Sequence, residues 1–190
     1  MRILVLTIAL LPVSAMLLAQ GVFSNRTNAV LEEVIQDYPN GFRDLKGEVI
    51  AENHQTAEYR STVQLPGSAS CVVSRYTMAR LDEYSWTCTV LETRNFENAS
   101  KKFKELFDQI RNTIIRTGGD KHFILSGQYE APLEDRKTNR VLFSLLPGMS
   151  DVKKLKVDLT LQSDQKGWKI LISVYDHPGE EGQGSITDNK

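Results

Sequence analysis

Histidine and cysteine are scarce in this chain of 190 residues, with three of the first and two of the second. Two cysteines cannot make the dense disulfide framework of a small secreted scaffold. With no histidine beside them, they do not supply the ligands of a structural zinc. His54, His122 and His177 share no spacing, and no Ser or Cys stands in a glycine-flanked elbow of the hydrolase kind. An excess of one charge is missing as well: Lys and Arg number 23 against 24 Asp and Glu, a formal net charge of −1. Nucleic-acid binders carry a basic face, so that class is set aside. No phosphate-cradling loop is present. Gly118-Gly119 follows a helical pattern and precedes a strand pattern, the reverse of the order that anion-binding loops use. Carboxylates are plentiful but dispersed, without the defined pair that glycoside hydrolysis needs. No catalytic, cofactor-binding or metal-ligating set is therefore assigned.

Long apolar runs are missing after residue 19, so no membrane-crossing segment is expected beyond it. Before it lies a leader. Arg2 gives a positive start, Ile3 to Ala19 is almost wholly apolar, and Ala19-Gln20-Gly21 offers small residues for cleavage. This is the pattern of a secretory signal peptide over residues 1–21. It places the mature chain outside the cell or in the periplasm. In that compartment Cys71 and Cys88 are a candidate disulfide. Asn25-Arg26-Thr27 and Asn98-Ala99-Ser100 fit the glycosylation acceptor pattern, which is short and common.

What is present in quantity is repetition. Leu45-Lys46-Gly47, Arg60, Leu65-Pro66-Gly67 and Trp86 recur as Leu125-Ser126-Gly127, Arg140, Leu146-Pro147-Gly148 and Trp168. The offset grows from 80 to 82 along the way, as loop insertions would make it. Internal similarity of this kind indicates a duplicated unit.

Periodicity supplies the elements. Val30, Leu31, Val34 and Ile35 fall at helical spacing, and Pro39-Asn40-Gly41 stops that helix near Tyr38. Phe96, Ala99, Phe103, Leu106, Phe107, Ile110 and Ile114 define a second apolar stripe, with Asn95 as its N-cap. Four strands follow each helix: about 45–51, 58–65, 71–78 and 86–92, then 122–129, 140–146, 154–161 and 168–175. Within the last hairpin, pairing Leu161 with Trp168 puts the apolar residues of both strands on one face. Carried to the first half, that register sets Trp86 near Ala79 or Arg80 and leaves Cys71 several residues from Cys88.

The expectation is an α+β fold of two tandem α-β-β-β-β repeats related by a pseudo-twofold. One or more antiparallel sheets carry both helices on one face. The boundaries are 22–93 and 94–176, with a polar, glycine-rich tail over 177–190. In element order alone this resembles saddle-shaped and helix-grip α+β folds, which host unrelated functions. Arg60 and Arg140 occupy equivalent repeat positions and point away from the core. They are candidate contacts to an anion or a protein partner, set against the plainer reading of charges that discourage strand aggregation. Trp86 and Trp168 read as core anchors, and 130–139 as a solvated connection. The functional expectation is an exported, non-catalytic binding or structural protein. A carrier of a small apolar ligand held between sheet and helices is the alternative, and an enzyme with a site assembled by folding is the least favoured.

Overall fold

The computed structural model describes residues 26–78, 81–111, 113–116, 122–147 and 155–176. The expected leader, the expected Gly118-Gly119 stop, Gly148, His177 and the polar tail lie outside the described residues. Among those described are two helices, α1 (Arg26–Asp37) and α2 (Phe96–Ile110). The strands are β1 (Lys46–Glu52), β2 (Thr56–Ser61), β3 (Ser70–Met78), β4 (Leu81–Thr93), β5 (Ile114–Arg116), β6 (His122–Ser126), β7 (Thr138–Leu146), β8 (Leu155–Asp164) and β9 (Gly167–Asp176). They form a single antiparallel sheet in the order β1-β2-β3-β4-β9-β8-β7-β6-β5. The fold is α+β.

Both helices follow from their stripes. In α1, Leu31, Val34 and Ile35 are buried, and Thr27 is buried with them and donates to Gln109 Oε1 of α2 at 3.0 Å. Pro39 lacks the N–H that would continue the helix. Asp37 then holds the exit, its carboxylate accepting from Asn40 Nδ2 and from the Asp44 amide, each at 3.0 Å. In α2, Asn95 Oδ1 accepts from the Asn98 amide at 2.8 Å, which caps an orphan donor of the first turn. Ala99, Phe103, Leu106, Phe107 and Ile110 are buried. The helix stops at Ile110, one turn earlier than its stripe suggests. Ile114 belongs to β5 and is half exposed. The run Thr113-Ile114-Ile115-Arg116 alternates buried and exposed with period two, and β-branched neighbours favour the strand. This yields nine strands rather than eight.

The strand registers correct two expectations. First, β4 begins at Leu81, not Trp86, and Leu81 pairs with Met78. Cys71 therefore stands directly opposite Cys88 and Trp86 opposite Val73. The two cysteines are disulfide-bonded, with Cα atoms 4.0 Å apart. Leu81 to Ser85 is polar enough to pass for a loop, but it lies beside β3 and needs no second apolar face. Second, Leu161 pairs with Ile170 and Trp168 with Ser163. The β8–β9 turn is shorter than expected because Gly167 adopts φ 131° and Asp164 Oδ1 accepts from the amides of Lys166 and Gly167. A slip of two residues preserves face, so the expected apolar alternation of this hairpin is unchanged.

Core residues line one face of the sheet in continuous rows. Tyr59, Val73, Trp86, Val174, Val157 and Phe143 are successive cross-strand partners, and so are Cys71, Cys88, Ile172, Leu159 and Val141. These rows and the stripes of both helices form one buried cluster. Each large apolar side chain buried there contributes about 1.5–3 kcal/mol. Trp86 is wholly buried and donates from Nε1 to Ser61 Oγ at 2.9 Å, which satisfies its one polar atom. The sheet ends differ. At β5, the Arg116 amide donates to Glu32 Oε1 at 3.0 Å, and its carbonyl accepts from Gln36 Nε2 at 2.6 Å. Helix α1 thus occupies the outer backbone groups of that edge. At β1, every residue from Gly47 to Glu52 is exposed.

Candidate binding groove on the open sheet face

Residues alternate with the core rows to build the opposite face of the sheet. One open-face row runs Arg60, Val72, Thr87, Ser173, Asp158, Leu142, and the next runs Glu58, Ser74, Ser85, Tyr175, Lys156. Where β4 meets β9 the side chains are small and hydroxylic: Ser85, Thr87 and Ser173. Thr87 Oγ1 and Ser173 Oγ share a hydrogen bond of 3.0 Å. Larger groups stand around them. The result is a concavity of about 310 Å3 whose lining includes Tyr76, Ser85, Thr87, Asp158, Ser173 and Tyr175. It shares Glu83, Tyr84 and Asp176 with a second concavity of about 520 Å3, which continues to the Tyr38–Gly41 turn. Four carboxylates line the two concavities: Glu83 and Asp158 on the open face, and Asp82 and Asp176 on the side of Trp86 and Val174, where the second concavity wraps the end of the sheet.

Asp158 is the most constrained of the four. Its Oδ2 accepts from Arg140 Nε at 2.6 Å, and its Oδ1 accepts from Thr160 Oγ1 at 3.0 Å. Arg140 Nη2 also donates to the Tyr175 hydroxyl. Burial pushes the Asp158 carboxyl above its ordinary value, and the Arg140 guanidinium and the Thr160 hydroxyl pull against it. Burial likewise raises the Tyr175 phenol, reinforced by the Asp158 charge. In the second concavity the Tyr38 phenol is pushed up strongly, by burial first and by Asp176 second. One Asp176 oxygen there is buried without a hydrogen-bond partner.

The two arginines singled out by sequence both face away from the core, in β2 and β7. Five strand spacings separate them, roughly 24 Å at about 4.8 Å per strand. Their surroundings differ. Arg140 is locked to Asp158 and Tyr175, whereas Arg60 is exposed and no salt bridge among the described residues engages it. Cys71 and Cys88 are buried on the covered face, away from the groove. Trp86 is fully buried within β4, while Trp168 is partly buried, its ring inclined at 54° to that of Phe96 with centroids 4.8 Å apart.

Sequence reasoning missed the groove itself. Its lining comes from β3, β4, β8 and β9, and no linear spacing marks residues that meet only through strand order. The connection 130–139 is exposed, as expected, except at Pro132 and Asn139. What the sequence did not show is that the side-chain amide of Asn139, buried at the start of β7, exchanges two hydrogen bonds with the Leu133 backbone, at 2.9 and 3.0 Å, which pins the loop at its centre. His54, in the β1–β2 turn, and His122, in β6, are far apart in the strand order. No group of three or more His, Cys, Asp or Glu among the described residues could hold a metal ion, and no helix among them is long and apolar enough to cross a membrane.

Under the helices, Phe103 and Phe107 pack against Tyr129, and Phe107 against Phe143, with centroids 4.9 to 6.5 Å apart. Neither depression described above is lined by the α2 stripe, and nor is a third concavity of about 200 Å3 between the ends of β4 and β9. Comparison with protein-family models, with curated proteins and with solved structures finds no match to this chain.

Proposed function

We propose that this is an exported, non-catalytic binding protein that uses the open face of its sheet, and that its ligand presents cationic and hydroxyl groups. The observation that carries the reading is the depression centred on the β4–β9 junction. Its floor is hydroxylic, Tyr76, Tyr84 and Tyr175 line it, and its charged lining residues are the carboxylates Glu83, Asp158 and Asp176. Sites of a few hundred Å3 with few, convergent polar groups are where small ligands and side chains seat. An excess of carboxylate on the lining favours a partner of opposite charge. Export is supported by the leader pattern and by a cross-strand disulfide, which persists in oxidising compartments. The alternative of an apolar-ligand carrier gains nothing from the packing of the Phe stripe onto Tyr129 and Phe143.

The same reading treats the chain as two α-β-β-β-β units. The strand order supports it: β1 to β4 lead inward to the β4–β9 junction as β6 to β9 do from the other side. Two landmark glycines add to it. A Cβ at Gly47 would meet the Arg60 carbonyl at 2.9 Å, and one at Gly127 the Leu142 carbonyl at 3.1 Å. On this view the groove lies at the pseudo-twofold.

Calorimetric titration of the mature chain with an oligolysine peptide, an oligoglutamate peptide and a neutral oligosaccharide tests the ligand class. Oligolysine should bind in a salt-sensitive manner. Glu83→Lys and the groove-filling Ser173→Trp should each weaken binding about tenfold or more while melting temperature changes little. Binding that ignores both substitutions, or preference for oligoglutamate, overturns the assignment.

A further inference from the structure

We infer that β1 is a self-association edge, and that two copies of this chain pair β1 to β1 in an antiparallel manner to form a closed dimer with one continuous sheet. The argument starts from the difference between the two sheet ends. A bare edge strand is a template for pairing, and proteins usually shorten, charge or cover it. The β5 end is short, three residues, and its outer amide and carbonyl are taken by Glu32 and Gln36 of α1. The β1 end is seven residues long and pairs only with β2 in the sheet, with side-chain contacts from Lys46 to the Tyr84 ring and from Glu52 to Arg75 at 3.6 Å. Val49 and Ile50 are 55% and 50% exposed there.

The occupant follows from the pattern of the strand. Lys46, Val49 and Glu52 pair with Ser61, Tyr59 and Ala57 of β2, so all three belong to the helix-covered side of the sheet. The two irregularities of β1 fall on either side of Val49. Antiparallel pairing of two copies about Val49 sets Val49 against Val49, and sets each Lys46 against the other copy's Glu52. A twofold normal to the sheet keeps these groups on a common side, so the match is geometric as well as electrostatic. Neighbouring registers lose this: a shift that centres on Ile50 sets Glu48 against Glu52. Opposite charges facing across strands stabilise pairing and like charges oppose it. With the β5 edge covered, the contact uses the same surface on both copies. It closes at two rather than extending into a fibre.

Light scattering coupled to gel filtration, over a concentration series of the mature chain, provides the test. A dimer that dissociates on dilution is expected. Glu52→Lys places Lys against Lys at both ends of the pairing and should raise the dissociation constant at least tenfold. Lys46→Glu combined with Glu52→Lys should restore the dimer. Lys46 lies over the Tyr59 and Tyr84 rings at 5.4 and 4.3 Å, so its replacement could disturb the fold. Val49→Asp, at an exposed position, is the independent variant and should also give a monomer. Circular dichroism verifies that each variant is folded. A wild-type chain that stays monomeric up to millimolar concentration overturns the inference, and so does a dimer indifferent to Glu52→Lys and Val49→Asp.

Discussion

At Asp158 two effects oppose each other, and burial exceeds the attraction of Arg140, leaving the carboxyl above its ordinary value of 3.8. The sign for stability follows. A carboxyl that holds its proton more tightly folded than unfolded stabilises the fold fully below the unfolded value. That contribution is lost as pH rises through the folded value. Asp158→Asn removes the titration. The stability difference between wild type and Asp158→Asn should therefore move against the wild type as pH rises from below 3.8, in urea unfolding at a series of pH values. A difference that is flat with pH would show that Asp158 titrates alike in both states. Arg140 is not the free contact that its repeat position suggests: its guanidinium is already committed to Asp158 and Tyr175. Arg60 keeps that possibility.

Among the elements, the β3–β4 hairpin is the one reinforced covalently. Cys71 and Cys88 are 17 residues apart in sequence and face each other on the covered side. A cross-link closing a loop of this size stabilises by about 3 kcal/mol, chiefly by restricting the unfolded chain. Replacing both cysteines with Ala should lower stability by about that amount in urea unfolding, with the m-value altered because the unfolded state expands. Helix α2 depends on its buried stripe instead. Phe103→Ala removes a wholly buried ring and should cost about 3–5 kcal/mol by the same measurement. A loss under 1 kcal/mol would mean the helix is not seated on Tyr129 and the sheet as described.

For the whole molecule, the sheet divides into a thick centre and thinner margins. Strands β4, β8 and β9 carry the contacts of α2 and most of the buried rows, α1 covers β5, and β1 pairs only with β2 and is exposed from Gly47 to Glu52. Local opening costs least where few apolar contacts are broken. Amide hydrogen exchange should accordingly be slowest in β4, β8 and β9 and fastest along β1 in dilute, monomeric protein. Protection of β1 that rises with concentration would accompany the dimer. Uniform protection across the sheet at low concentration would contradict this division. The groove lies over the slow centre, so its lining is held by the most stable strands rather than by loops.

The helices and most strands were legible because periodicity is a local property. Leu31, Val34 and Ile35, or Leu155, Val157, Leu159 and Leu161, declare their face without reference to anything distant. The failures share one cause. Where β4 begins, where α2 gives way to β5 and how Cys71 meets Cys88 all depend on which segment lies alongside, and pairing is set by non-local burial. The polar run Leu81–Ser85 reads as a loop until β3 is placed beside it. Asn139 reads as a solvated loop residue until the Leu133 backbone needs its hydrogen bonds. Arg60, Arg140 and Ser173 were visible as outward residues, but outwardness is a local property and adjacency is not. Composition, leader pattern and 3.6- and 2-residue periods settle which residues seek water and which avoid it. Strand order, register and the meeting of Ser85, Thr87, Asp158, Ser173 and Tyr175 in one depression arise only when the chain closes its core, because burial of all the apolar faces together selects one pairing.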